Sequence, residues 1–169
     1  MRYFSEKYFP EWIILKEKLH DVGRMPVIKE GEIWWAAVGE NVGVEINGKN
    51  KVFSRPILVF KKLSRYAFMG IPLTSQFHEG TWYVPFVFQN KKEYAVLAQA
   101  RVISVSRLYT KIGELSDPDY DLILDGFKKL YVDRKNVPLV KTKGSAGIPE
   151  YIYIIVNFIL KIKSARIFR

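Results

Sequence analysis

The spacing of apolar residues changes character along the chain. Over residues 9–21, FPEWIILKEKLHD, Trp12, Leu15 and Leu19 recur at near-helical spacing, and Pro10 sits where a first helical turn tolerates it. A short amphipathic helix is predicted, ending near Gly23 and packed as a lid on the main core in preference to binding a partner. From Glu32 the pattern becomes short runs of aromatic and β-branched residues. EIWWAAV reads as a strand closed by Gly39, and VGVEINGKNKVFS as a long loop with a small hairpin around Asn47 and Gly48. RPILVFKK is a strand with a proline at its mouth, where the missing N–H costs little. RYAFMGIPLTS is a further strand region, interrupted by Gly70 and stopped by Thr74 and Ser75. GTWYVPFVFQ and EYAVLAQARVISV follow, separated by a polar NKK turn. Several short strands without long intervening helices predict an antiparallel barrel or sandwich, not a doubly wound α/β sheet.

The clearest helix is SDPDYDLILDGFKKLY. Ser116 suits the N-cap, Asp117 and Asp119 the positive helix N-terminus, and Pro118 the first turn. Tyr120, Ile123, Leu124, Phe127, Leu130 and Tyr131 form one apolar stripe that should pack on the sheet. Beyond Tyr131 the chain reads as a linker, with GSAG as a hinge and not a phosphate loop, and then as the apolar and basic segment YIYIIVNFILKIKSARIFR. Its apolar run is shorter than the roughly 20 residues a spanning helix needs. Docking on this protein or a partner is favoured over an in-plane membrane helix.

Composition narrows the chemistry. The chain has 169 residues, 49% of them hydrophobic and 15% aromatic, enough for one packed core. There is no cysteine, and the two histidines are His20 and His78. Disulfides and thiolate or imidazole metal cages are therefore excluded, and no metal or cofactor is expected. The net charge of +10 suggests nucleic acid, but its distribution weakens that reading. Residues 1–125 hold 17 basic and 15 acidic side chains, whereas residues 126–169 hold 10 against 2. RNA or DNA binding by the main domain must therefore rest on placed residues, not on overall charge. The first residues lack the layout of a secretory signal, so a cytoplasmic protein is expected.

Five blocks occur in an order that resembles the PemK/MazF family of bacterial type II toxin-antitoxin toxins. They are GEIWW at 31–35, VGVEINGKNKVFSRPILV at 42–59, IPLTS at 71–75, LAQARVISVSRL at 97–108 and KIGELSD at 111–117. The resemblance covers residues 29–131. It divides the chain into an N-terminal helical extension (1–28), a PemK/MazF-like barrel domain (29–131) and a basic C-terminal extension (132–169). It implies a mainly β (α+β) fold: a small SH3-like barrel with a C-terminal helix packed on the sheet. It further implies a homodimer that cuts single-stranded RNA, often mRNA, at short sequences without a metal, and a cognate antitoxin that blocks the RNA groove.

Such cleavage uses the RNA's own 2′-OH against the adjacent phosphorus, leaving a cyclic phosphate and a 5′-OH. It needs a proton acceptor, donors for the phosphorane oxygens and help for the leaving oxygen. By resemblance Arg55 is the catalytic arginine of an Arg-Pro motif, and its permanently charged, forked guanidinium suits electrostatic stabilisation. Thr74 matches a strand-end threonine that bonds the same phosphate, with Ser75 assisting. Read without the resemblance, both hydroxyls simply satisfy nearby backbone. Glu45 matches a loop glutamate and is the candidate base, although a carboxylate near about 4.3 is a weak one at neutral pH. His78 is a rival acid or base and a candidate substrate contact, against the plainer reading of a water-exposed loop histidine. Gln99 and Arg101 match a Gln-x-Arg element in substrate binding. Contact with RNA, contact with the other subunit and pairing with a carboxylate stay equally open for Arg101. Of Trp34, Trp35, Trp82 and Tyr83, one or two at most are expected to face RNA.

Three departures bear on mechanism. The spacer GKNKVFS before Arg55 is longer than in the most familiar members, and Ala98 and Ser104 stand where the family often has carboxylates. The competing function is a non-catalytic binder of gyrase, RNA or antitoxin on the related CcdB-like fold, which has no need of the Arg-Pro and Thr-Ser pairs.

Overall fold

The computed structural model describes residues 7–23, 25–77 and 79–132. Helix α1 (Phe9–His20) precedes β1 (Glu32–Ala37), β2 (Ser54–Lys62), β3 (Ala67–Thr74), β4 (Tyr83–Phe88), β5 (Lys91–Val96), β6 (Arg101–Ser104) and β7 (Leu108–Glu114), and α2 (Asp117–Tyr131) closes the described chain. Short 3₁₀ turns at Leu97–Gln99 and Val105–Arg107 flank β6. All pairings are antiparallel, in the order β4-β5-β3-β2-β1-β7, with β6 paired to β3 off this path. The fold is therefore a mainly β antiparallel sheet with a helix at each end.

Strand β2 is apolar on both sides because both sides are covered. Ile57 and Val59 join Trp34, Ala36, Val38, Phe68, Ile103, Val105 and Leu108 in one buried cluster. Leu58 and Phe60 are equally buried on the other side, where the Phe60 ring stacks 5.9 Å from Tyr120 of α2 and the Tyr120 hydroxyl donates to the Phe60 carbonyl. Alternation disappears from a strand whose two faces are both removed from water. The expected capping of α2 is present: the Ser116 Oγ accepts the Asp119 backbone N–H at 3.3 Å. Ile123, Leu124 and Phe127 of the stripe are buried. One compact unit runs to Ile123 and a second starts at Leu124. In the described part of the second, Phe127 packs on Tyr131 at 4.7 Å and Lys128 pairs with Asp125 at 3.1 Å.

Four local expectations change. Gly70 does not interrupt β3, which is continuous through it; a Cβ there would lie 2.7 Å from Ile103 Cδ1 and 2.8 Å from Ile57 Cγ2, so packing forbids a side chain. The β4–β5 turn is Gln89-Asn90, not NKK, since Phe88 pairs with Lys91 and both turn residues are left-handed (φ 50° and 60°), as a tight hairpin requires. EYAVLAQARVISV breaks into β5, a 3₁₀ turn and β6, because β3 pairs with β5 through Leu73 and Thr74 but with β6 through residues 67–70. The small hairpin expected around Asn47 and Gly48 is centred instead on Lys51 and Val52, closed by a Lys49–Ser54 bridge. Gly48 is instead pressed against the Phe53 backbone, where a Cβ would lie 1.8 Å from the Phe53 carbonyl oxygen. The apolar pattern does not single out β7, whose outer residues face water.

Helix α1 docks as expected, with Trp12 and Leu19 buried against Ala37 and Phe53 and Leu15 alongside. Among the described residues no helix is long and apolar enough to cross a membrane. His78 and the expectations for residues 133–169 lie outside the described residues.

Candidate active site

Strand register brings the two motif residues together. In the β2–β3 ladder Ile57 faces Pro72, Leu58 faces Ile71 and Val59 faces Gly70. Continuing that register past its last pair sets Arg55 across from Thr74. Both line a cleft of about 290 Å³, and both also line a smaller recess of about 160 Å³. Arg55 is half-buried, and its Nε–H donates to the Asn47 carbonyl, leaving both Nη groups for a ligand as far as the described residues go. Burial lowers its pKa below the ordinary guanidinium value. A partly desolvated cation attracts an anion more strongly than one in open water.

Thr74, at the buried end of β3, accepts the Gln76 backbone N–H at 3.2 Å. The plain strand-end role is therefore real, yet it uses only acceptor capacity and leaves the O–H able to donate. Ser75 is exposed in the same cleft, and Pro56 lies beside Trp35 across the β1–β2 ladder.

The other expected residues are used differently. Gln99 lines the smaller recess, but its amide is engaged with the loop: Nε2 donates to the Val44 carbonyl at 3.3 Å and Oε1 accepts the Ile46 N–H at 3.1 Å. Arg101 spans from β6 to the end of β1, donating to the Val38 carbonyl at 2.9 Å and to Asn41 Oδ1 at 3.5 Å. Burial lowers its pKa, and the nearby Glu45 carboxylate opposes this. Gln99 and Arg101 thus fasten the 38–46 loop to the sheet. Glu45 itself is exposed, acts on Arg101 and lines neither Arg55 cleft.

The cleft contains residues that sequence reasoning missed. Lys49, Lys91 and Glu93 line it with Arg55, so three cations face one carboxylate. No short motif marks Lys91 and Glu93: they arrive by the hairpin that lays β5 on β3. Among the four aromatic candidates, Trp35 lines the main cleft at 42% exposure and Tyr83 the smaller one. Trp82 is exposed but lines neither, and Trp34 is buried with its indole N–H on Glu32 at 2.9 Å. No group of three or more acidic, His or Cys side chains suited to hold a metal occurs among the described residues.

The profile of the PemK-like, MazF-like toxins of type II toxin-antitoxin systems matches residues 29–131. The chain belongs to this family. No curated protein matches it. Similar solved structures include an endoribonuclease in complex with its cognate antitoxin from mycobacterial species, with 13% identity, 61% of this chain and 91% of that chain covered and a TM-score of 0.45. MazF (Form-I) from Deinococcus radiodurans is 16% identical over 61% of this chain and 94% of that one, with a TM-score of 0.49. The Mycobacterium tuberculosis toxin MazF-mt6 is 16% identical over 57% and 92%, with a TM-score of 0.42. In this PemK/MazF-like chain the matched residues contain all of β1 to α2, whereas α1 precedes them.

Proposed function

We propose that this PemK/MazF-like toxin is a metal-independent endoribonuclease acting on single-stranded RNA, built on a small SH3-like barrel and working as a homodimer in the cytoplasm. A cognate antitoxin that covers the RNA groove completes the reading. The observation that carries it is the pairing of Arg55, whose Nη groups have no partner among the described residues, and Thr74 in one cation-lined cleft.

The scissile phosphate lies against Arg55 and the Thr74 hydroxyl. As the 2′-oxygen attacks phosphorus, negative charge grows on the non-bridging oxygens, and the Arg55 fork meets it with short charge-assisted bonds. The bond to the 5′-oxygen breaks and that oxygen takes up a proton from water, giving a cyclic phosphate and a 5′-OH. Lys49 and Lys91 hold the flanking phosphates, and Trp35 offers a face for a base. Incubation with single-stranded RNA in excess EDTA is expected to give products with those two ends. Intact RNA of varied sequence, with folded protein, would reject the proposal in favour of a non-catalytic binder.

For the proton acceptor, cleft geometry favours Glu93 over the resemblance-based Glu45. Glu93→Gln should lower cleavage about tenfold, at the low end of what a positioned proton acceptor contributes. Glu45→Gln should stay within about threefold of wild type, as expected for an exposed group outside the reacting geometry. Single-turnover rates on one RNA compare the two, and the reverse order would return the role to Glu45.

A further inference from the structure

The family match begins at residue 29, so α1 has no counterpart in it, yet α1 is wedged against the loop that leads to Arg55. The Trp12 indole occupies the place of a side chain at Gly39, where a Cβ would lie 2.4 Å from the ring and φ is +94°. The same ring meets Phe53 edge-on at 5.7 Å. Phe53 has a left-handed backbone (φ 47°), rare for a bulky residue, and its carbonyl accepts both Val38 N–H (2.8 Å) and Gly39 N–H (3.2 Å). From there the connection continues: Gly48 N–H donates to the Gly39 carbonyl at 2.8 Å, and the neighbouring Asn47 carbonyl receives Arg55 Nε–H. Two charged tethers hold α1 in place. Lys7 pairs with Glu40 at 3.5 Å, and Arg107 lies 5.3 Å over the Trp12 ring while donating to the Ala37 carbonyl at 3.1 Å.

The geometry points to Trp12 as a positioning residue for the Arg55 guanidinium. By holding Gly39 and Phe53, it fixes the long spacer loop in the one arrangement that presents the Asn47 carbonyl to Arg55. The inference rests on Arg55 as the charge-stabilising group. The connection between β1 and β2, residues 38–53, gives the need for such a clamp, because a loop of that length has many conformations to lose before its carbonyl meets the arginine. Trp12 touches no substrate; it acts through Phe53, Gly48 and Asn47.

Full-length Trp12→Ala and Trp12→Phe proteins test this. In Trp12→Ala, kcat for RNA cleavage should fall roughly 10- to 30-fold with KM within about twofold, the pattern of lost transition-state alignment, while Trp12→Phe restores most of the rate. Amide exchange of Gly48, Lys49, Phe53 and Ser54 should speed up at least about tenfold more than that of the β2–β3 ladder, and the protected Arg55 Nε–H resonance should be lost. If Trp12→Ala does not fold, Gly39→Ala, which drives a methyl into the indole, is expected to loosen the same amides. Loop and ladder accelerating alike would reduce Trp12 to a fold stabiliser, and a loosened loop with unchanged kcat would break its link to Arg55; either overturns the inference. A wild-type protein that cuts no RNA would remove the proposed activity instead. The exchange and Arg55 resonance measurements then decide the positioning claim alone.

Discussion

Arg55→Ala is expected to lower RNA cleavage by about 10²- to 10³-fold, the range for deleting one preorganised donor from a charge-developing transition state. Several contributions would disappear at once: the charge, the fork proposed to bridge two phosphate oxygens, and the alignment set by Asn47. Arg55→Lys tests which of these matters. A lysine keeps the charge but cannot hold the Asn47 carbonyl and span two oxygens together, so it should recover less than about a tenth of the lost rate. The fold should survive both changes, because Arg55 lies at the cleft-lining start of β2 and is not part of the buried cluster. Wild-type rates in Arg55→Ala, measured as single-turnover kinetics on protein with unchanged thermal unfolding, would remove Arg55 from the mechanism.

The largest expected stability loss lies away from the cleft, at Glu32. This buried carboxylate accepts the Lys29 backbone N–H at 3.0 Å, the Trp34 indole N–H at 2.9 Å and Lys111 Nζ at 2.7 Å. Glu32→Ala leaves the buried indole N–H without its acceptor, a loss of about 2–3 kcal/mol. The unfolding midpoint should fall by roughly 10 °C. The network also sets a pH dependence. Burial by itself raises the Glu32 pKa, but the Lys111 bond, the Lys29 and Trp34 donors and the Lys111 charge outweigh it and hold it below its ordinary 4.5. A carboxyl whose folded pKa lies below its unfolded one adds stability above the unfolded value and loses it as pH falls through the folded one. Thermal melts of wild type should therefore drop more steeply below about pH 4.5 than those of Glu32→Gln, which cannot titrate. Parallel acid profiles would assign the acid sensitivity to other carboxylates.

Not every part of the site was equally open to a reading of the sequence. Arg55 and Thr74 stand out as candidates only through the ordered blocks of the family resemblance, since Arg-Pro and Thr-Ser at a strand end otherwise read as ordinary strand termini. Glu45 is a candidate base only through the resemblance; in the fold Gln99 bonds the backbone on both sides of it, and its charge acts on Arg101. Glu93 and Lys91 carry no local signal, since a tight Gln89-Asn90 turn and the β3–β5 ladder bring them to the cleft. Gly70 and Gly48 mislead in a related way. Each resembles turn punctuation, yet each is small because another residue occupies the space a side chain would need.

The sequence by itself determined the antiparallel strand-rich class, the docked helix carrying Trp12 and the Ser116 cap of α2, while its resemblance to a known family singled out Arg55 and Thr74 as candidates. Each depends on periodicity, capping or a motif within a few residues, where local sterics and burial act directly. Only the tertiary structure decided that Arg55 and Thr74 share a cleft, that Lys49, Lys91 and Glu93 line it, and that Gln99 and Arg101 fasten the loop. Those outcomes depend on strand register and on which backbone carbonyls a folded loop presents. Distant segments settle both together, because buried polar groups must find partners wherever the chain places them.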